Sequence, residues 1–270
     1  VEEPSLYCSP SHFVPKKDGR TARLVTDYSG AKGLNANVQR SEHGFLSPNQ
    51  IQEKIKPTSR WFAVFDLTWG YFQLLLSRAA SKLTTFMVMT RQGPMRFRYL
   101  RAPMGLLCSG DGFCAETDSA LEGITDVHKL IDDVFCQAPT EVLLDAKVRE
   151  VLDRVCTKGM TLSPKKIQFG QHVKFAGFII KVEDDMVKIL PDSELMNTVR
   201  NFPMPQTTSE VRRFLGVCQQ LTRWNPDLQQ NCPILRGLTQ DNVAFHWDVE
   251  AEQEFRQVKK NLCDSPAALT

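Results

Sequence analysis

The sequence predicts a mixed α+β fold, because strand-like and helix-like patterns occupy different parts of the chain. Before Pro191, short apolar runs alternate with turn sequences such as Gln92-Gly93-Pro94, which is typical of antiparallel hairpins. After Pro191, apolar residues recur at the spacing of a helix face. A chain of 270 residues can bury a sizeable core as one large domain or as two to three subdomains.

Eight apolar runs are predicted to be strands: His12–Pro15, Arg23–Asp27, Trp61–Phe65, Lys82–Met89, Met95–Leu100, Val127–Ile131, Val134–Gln137 and Lys174–Ile180. Asp132-Asp133 is expected to form a two-residue turn between the sixth and seventh of them. A further hairpin is expected at Glu183-Asp184-Asp185.

Helices are predicted from caps and from apolar periodicity. Ser47 is placed to cap a helix that starts at Pro48 and runs to about Ile55. Thr207-Thr208-Ser209-Glu210 has the pattern of a capping box. Three more helices are expected at Phe113–Leu121, at Glu141–Lys158 with Gly159 ending it, and from Trp247 to Leu262.

The charge is distributed unevenly although the net charge is only +2. Arg78 to Arg101 contains six basic and no acidic residues, and Lys158 to Lys181 contains five lysines and no acid. Two basic surfaces on a near-neutral protein suit a groove that follows phosphates, and two solvated faces are the alternative. The eight cysteines form no C-x-x-C pair, which favours reduced thiols in an intracellular protein.

No apolar run approaches the roughly 20 residues of a membrane helix, and no signal peptide opens the sequence. Because residue 1 is Val, we expect the chain to be a piece of a longer polypeptide.

Three carboxylates carry the most specific chemistry. Asp66 ends one predicted strand, and Asp132 and Asp133 lie between two others. Each alone would be an ordinary strand end or turn, but adjacent strand ends can bring all three together. Crowded carboxylates raise each other's pKa, and a bound cation makes their ionised forms tolerable. Oxygen ligands favour Mg²⁺ or Mn²⁺, and two such ions can clamp an in-line phosphoryl displacement.

The sequence resembles the reverse transcriptase of gypsy-type (Metaviridae) LTR retrotransposon Pol polyproteins. The segments that carry this resemblance, in chain order, are Phe13–Gly19, Arg23–Tyr28, Leu34-Asn35, Phe65–Leu74, Pro103–Leu106, Leu130–Val134, Phe175–Ile179 and Ser209–Gly216. They span nearly the whole chain. The resemblance implies a nucleotidyltransferase that extends a DNA primer with dNTPs on an RNA or DNA template, using two Mg²⁺ or Mn²⁺ ions.

A right-hand polymerase is the architecture that the resemblance implies, with an antiparallel-sheet palm. Fingers are expected at 1–60 and 77–106, palm at 61–76 and 107–189, and thumb at 190–244. Residues 245–270 would begin a connection to an RNase H domain that lies outside this chain. The implied partners are RNA template, DNA primer, dNTP and flanking RNase H, integrase and protease domains of a Pol polyprotein. The implied location is intracellular, in cytoplasm or virus-like particles, without membrane attachment.

The resemblance also implies roles for individual residues. Asp66, Asp132 and Asp133 would be the catalytic metal ligands. The implied nucleotide-binding residues are Lys16, Arg23, Leu67, Trp69, Gly70, Tyr71 and Met104. Those for template and primer are Leu130, Lys166, Phe175 and Gly177. Tyr71 would exclude a ribose 2′-hydroxyl, with a core tyrosine as the alternative. Packing is the alternative for Met104, and a solvated surface lysine is the alternative for Lys16, Lys165 and Lys166.

Three positions depart from the family pattern. Leu130 stands where relatives have Tyr before Asp-Asp. Ser109-Gly110 replaces Ala-Pro or Ser-Pro, and Cys114 replaces Gln. Two other functions stay open: a degenerate or domesticated relative that binds nucleic acid without synthesis, and an RNA-dependent RNA polymerase. Intact carboxylates argue against the first, and Tyr71 with the fingers motif argues against the second.

Overall fold

The computed structural model describes residues 5–15, 19–40, 43–44, 46–225, 232–240 and 243–263. The chain divides into two compact units. The first unit comprises Val1–Lys54, Phe65–Cys136 and Asp145–Ile167, and the second comprises Ile55–Val64, Gln137–Leu144 and Gln168–Thr270. Antiparallel strand pairs and helices occur together, so the predicted α+β class is confirmed.

The strands are β1 (Ser11–Pro15), β2 (Ala22–Thr26), β3 (Trp61–Asp66), β4 (Phe86–Thr90), β5 (Gly93–Phe97), β6 (Val127–Leu130), β7 (Asp133–Ala138), β8 (Gln168–Gly170), β9 (His172–Phe175), β10 (Phe178–Glu183) and β11 (Met186–Pro191). β1 pairs with β2 and β4 pairs with β5, each as a separate antiparallel hairpin. The other strands form a sheet of order β6-β7-β3-β8 and a sheet of order β11-β10-β9.

The helices are α1 (Pro48–Glu53), α2 (Arg78–Leu83), α3 (Leu107–Leu121), α4 (Glu141–Thr157), α5 (Ser193–Arg200), α6 (Thr208–Gln219), α7 (Pro233–Gly237) and α8 (Val249–Cys263). The Ser47 capping box is present in full, and Thr207 caps α6 as predicted. The chain leaves α4 through Gly159, whose φ of 70° is the left-handed conformation expected after a helix. Among the described residues, none of the helices has the length and apolarity needed to cross a membrane.

Three predicted strands are wrong in part. Met95–Leu100 is replaced by β5, which starts at Gly93 and ends at Phe97, because Thr90 pairs with Gly93 and the turn is Arg91-Gln92. The segment Lys82–Met89 begins inside α2, because the Ser77 side chain accepts a hydrogen bond from Ala80 N and caps a helical turn. Lys174–Ile180 is two strands, since the chain reverses at Ala176 and Gly177, with φ values of 50° and 83°. Two consecutive positive φ values are the mark of a tight hairpin turn.

The Asp132-Asp133 turn is displaced by one residue from its predicted place. Leu130 pairs with Asp133, so the turn consists of Ile131 and Asp132, and Asp133 already belongs to β7. Ile131 has a φ of 56°, which is unusual for a β-branched residue. The shift gives the two neighbouring aspartates different surroundings, Asp132 exposed and Asp133 partly buried.

Each unit has its own core. In the first unit, Val134, Phe135 and Cys136 are consecutive and fully buried, so both faces of that strand are covered. In the second unit, the Phe214 ring lies 5.2 Å from Phe202 and 4.6 Å from Phe255. The buried strand of the first unit, β7, begins at Asp133.

Candidate active site

The three aspartates lie at the adjoining ends of β3 and β7, in the first unit. Leu67 N donates a hydrogen bond to Asp132 O at 2.8 Å, which ties the residue after Asp66 to the β6–β7 turn. Asp66 O in turn accepts from Ser163 N at 2.9 Å. These two hydrogen bonds therefore fix the peptide group between Asp66 and Leu67.

Burial and neighbouring negative charge together set the electrostatics of the site. Burial, followed by the charges of Asp132 and Asp66, raises the pKa of Asp133 to about 6. Lys166 opposes this effect, because its Nζ lies 2.6 Å from Asp66 Oδ2. The hydrogen bond to Asp66 raises the pKa of Lys166, so this amine stays protonated at neutral pH.

The donor chemistry of the site fits a hard divalent cation. All three side chains offer carboxylate oxygens, the ligand type that Mg²⁺ and Mn²⁺ prefer. Within the described ranges, no three His, Cys, Asp or Glu side chains are grouped closely enough to hold an ion. The Lys166 amine contributes positive charge next to Asp66.

A cavity of about 750 Å³ opens beside the carboxylates, within the first unit. It is lined by nine of the residues singled out from the sequence: Arg23, Asp66, Leu67, Trp69, Gly70, Tyr71, Met104, Asp132 and Lys166. It is also lined by residues not singled out: Ala22, Leu24, Thr68, Phe72, Tyr99, Ile131 and Ser163. Leu24, Thr68 and Phe72 lie inside the recognised motifs, whereas Tyr99 and Ser163 had no local signal.

The structure does not place the other five singled-out residues at the cavity. Asp133 is the first residue of β7, next to Asp132. Lys16 falls outside the described residues. Leu130 is partly buried in β6, opposite Asp133. In the second unit, Phe175 is buried with its ring 5.8 Å from that of Phe178, and Gly177 lies in the β9–β10 turn. The roles predicted for these residues stay predictions.

Tyr71 both lines the cavity and packs against α3. Its ring meets the Phe113 ring edge-on at 5.8 Å, and a Cβ at Gly110 would lie 3.7 Å from the Tyr71 hydroxyl. Burial, with smaller effects of Asp132 and Cys114, raises the pKa of Tyr71. The ring is thus held in place with one part facing the cavity. The neighbouring Trp69 has a φ of 62°, and its indole is 67% exposed at the same cavity.

Asn35 holds the segment that carries Met104. Its Nδ2 donates to Gly105 O and its Oδ1 accepts from Leu107 N, both at 2.9 Å. The sequence marked Leu34-Asn35 only as part of a motif, and the structure gives the asparagine this bracing contact.

We predict that Leu130→Tyr will tighten primer binding by up to about tenfold while leaving the maximal rate similar or higher. A tyrosine hydroxyl can add a hydrogen bond, worth roughly 0.5–1.5 kcal/mol net, that leucine cannot make. Titration of a labelled template–primer, alongside the single-nucleotide rate, measures both effects. Loss of activity in this variant would identify Leu130 as a packing residue instead.

Comparison with known proteins places the chain among the polymerases that its motifs resemble. Residues 14–180 match the family described as reverse transcriptase (RNA-dependent DNA polymerase). The chain belongs to the reverse transcriptase family. The resemblance to retrotransposon Pol polyproteins that the motifs predicted is confirmed.

Curated relatives of this reverse transcriptase include two transposon polyproteins. The retrovirus-related Pol polyprotein from transposon 412 of Drosophila melanogaster is 27% identical over 97% of this chain and 21% of its own length. The transposon Tf2-3 polyprotein of Schizosaccharomyces pombe is 26% identical over 98% of this chain and 19% of its own. The chain therefore spans about one fifth of the length of these relatives.

Solved structures agree on the fold. A foamy viral protease-reverse transcriptase in complex with double-stranded DNA has a TM-score of 0.85, 22% identity and coverage of 97% of this chain and 44% of that chain. A second, in complex with an RNA/DNA hybrid, has a TM-score of 0.80 at the same identity and covers 97% and 34%. The predicted right-hand polymerase fold is thereby confirmed.

Proposed function

We propose that this reverse transcriptase chain is an RNA- and DNA-directed DNA polymerase that extends a primer 3′-hydroxyl with dNTPs. The observation that carries the proposal is that Asp66 and Asp132 line one cavity large enough for a nucleotide, with Asp133 next in the chain and its pKa raised by burial and by both of their charges. Carboxylates in such an arrangement are what two-metal phosphoryl transfer uses.

Asp66 and Asp132 would be the main metal ligands, with Asp133 a weaker or indirect one. When bound, two Mg²⁺ or Mn²⁺ ions would activate the 3′-hydroxyl and neutralise the leaving pyrophosphate. Arg23 and Lys166 supply fixed positive charge along the same cavity, which favours a triphosphate there. The Tyr71 ring, held by Phe113, limits the room beside the sugar.

The proposal includes the division into fingers, palm and thumb at the boundaries predicted from the sequence. It also includes an RNA template, a DNA primer and the flanking RNase H, integrase and protease domains of a Pol polyprotein, acting in cytoplasm or virus-like particles. The two transposon relatives are polyproteins by name, and the two foamy viral structures hold double-stranded DNA and an RNA/DNA hybrid.

Primer extension tests the proposal. A labelled DNA primer annealed to RNA should be elongated when dNTPs and Mg²⁺ are present, and EDTA should stop the reaction. Template–primer binding without elongation would favour a domesticated binding protein, and elongation with rNTPs at an equal rate would favour an RNA polymerase. Either result would overturn the proposal.

Template–primer affinity should fall steeply with salt, by roughly 0.9 log units per log unit of salt for each phosphate neutralised on duplex. The lysines between Lys158 and Lys181 should contribute less than their number suggests. Four of the five lysines between Lys158 and Lys181 form ion pairs with carboxylates of this chain: Lys158 with Glu116, Lys166 with Asp66, Lys174 with Asp192 and Lys181 with Glu183. The positive charge of these four lysines is therefore partly neutralised within the protein.

A matched pair of variants measures this difference. Arg91→Gln should lower the slope by about one phosphate contact, and Lys181→Gln should leave it nearly unchanged. Filter binding or anisotropy between low and moderate salt gives the slope for each. A slope near zero in the wild type would contradict the electrostatic groove.

A further inference from the structure

A side-chain amide joins the segment that follows Asp66 to the loop that carries Lys166. Gln73 Oε1 accepts a hydrogen bond from Thr161 N at 2.7 Å, and Gln73 Nε2 donates to Thr161 O at 3.0 Å. The same Nε2 also donates to Thr68 O. Gln73 thus contacts both backbone polar groups of Thr161, as a neighbouring strand would.

Those contacts extend a short run of backbone pairing that ends at Lys166. Thr68 N donates to Thr161 O at 3.0 Å, and Ser163 N donates to Asp66 O at 2.9 Å. A single 3-10 turn follows, Pro164–Lys166, in which Lys166 N donates to Ser163 O at 3.1 Å. The register of this pairing therefore decides where the Lys166 amine lies.

Hydrogen bonds matter here because burial contributes little to the loop. Residues Thr161 and Pro164 to Ile167 are exposed, and Leu162 and Ser163 are only partly buried. A segment with few buried apolar contacts opens easily unless polar contacts hold it. A glutamine amide can donate and accept at once, which a carboxylate or a thioether cannot do.

We propose that Gln73 is a positioning residue that holds Lys166 against Asp66. The inference rests on the proposed polymerase activity, and it assigns Gln73 a role through the lysine rather than contact with substrate. Arg101 strengthens the arrangement from the other side, since its Nη1 donates to Gln73 O at 2.8 Å.

A double-mutant cycle on single-nucleotide incorporation tests the proposal. Gln73→Met keeps the length of the side chain and removes its hydrogen bonds. It should lower kcat by about ten- to a hundredfold, with KM for dNTP within about twofold, because small misplacements at a reaction centre are expensive. In a Lys166→Met background, the same change should cost less than about twofold.

Gln168→Met is the matched control. Gln168 brackets Lys174 in the same way, with Oε1 accepting from Lys174 N at 2.7 Å and Nε2 donating to Lys174 O at 2.8 Å. This variant should shift the melting temperature about as much as Gln73→Met does, without the loss of kcat. Gln73→Glu keeps the acceptor but lacks the donor, so it should also lower kcat. It replaces Gln73→Met in the test if Gln73→Met does not fold.

Two outcomes would overturn the inference. One is that Gln73→Met lowers kcat by the same factor in the Lys166→Met background as in the wild type. The other is that both Gln73 variants have a normal kcat. These failures are distinct from failure of the proposed function, which would show as absence of extension by the wild type.

Discussion

Asp66→Asn and Asp132→Asn should each lower primer extension by about a thousandfold or more, while template–primer binding stays largely intact. An amide keeps the shape of the carboxylate but removes the charge that a divalent ion requires, and several kcal/mol of stabilisation in the transition state depend on it. Asp133→Asn should cost less, because Asp133 is partly buried in β7 and is proposed as the weaker ligand. Rapid-quench incorporation, with anisotropy for binding, measures both effects.

Asp145→Asn is the control for this series. Asp145 is half-exposed on α4 and forms a surface ion pair with Arg149, at 2.8 Å, so its loss should leave extension unchanged. Extension near the wild-type rate in Asp66→Asn or Asp132→Asn would rule out the two-metal assignment.

Tyr71→Ala should reduce the preference for dNTP over rNTP by about 10- to 100-fold, with a smaller fall in dNTP incorporation. A ribose 2′-hydroxyl facing the Tyr71 ring would overpack the site, at a cost of typically 1–3 kcal/mol, and each 1.4 kcal/mol is tenfold. Because the ring is braced edge-on against Phe113, it cannot easily move aside. The measurement is kcat/KM for dGTP and GTP on one primed template.

Tyr71→Phe helps to distinguish exclusion of the ribose 2′-hydroxyl from packing in the core. This variant keeps the ring and its contact with Phe113, so the sugar preference should persist. If Tyr71 only fills the core, Tyr71→Ala would lower the melting temperature and slow both substrates alike. An unchanged dGTP/GTP ratio in Tyr71→Ala would remove the main reason for choosing DNA synthesis over RNA synthesis.

Much of the fold could be predicted because its signals are local. The caps at Ser47 and Thr207 and the stop at Gly159 each depend on a few neighbouring residues. Turns are harder to predict where they contain residue types that rarely adopt a positive φ. Ile131 adopts a positive φ that β-branched residues avoid, so the turn was placed one residue late. The reversal at Ala176 was hidden within a continuous apolar run.

The site was predicted in its parts but not in its internal contacts. Motif positions placed Asp66, Tyr71 and Met104 at one cavity, as the structure shows. The ion pair between Asp66 and Lys166 joins residues that are 100 positions apart, so no local sequence pattern predicts it. The carboxylates that pair with Lys158 and Lys174 likewise come from other segments, Glu116 and Asp192, which the basic stretch itself does not indicate.

Anomalous diffraction from Mn²⁺ tests most directly whether Asp66 and Asp132 hold two metal ions. Crystals would contain the chain with an RNA template, a dideoxy-terminated primer and the next dNTP. Two-metal catalysis predicts two anomalous peaks roughly 3.5–4 Å apart, contacting the carboxylates of Asp66 and Asp132. Anomalous density confined to other sites, with Lys166 still paired to Asp66 and no ion between the aspartates, would contradict it.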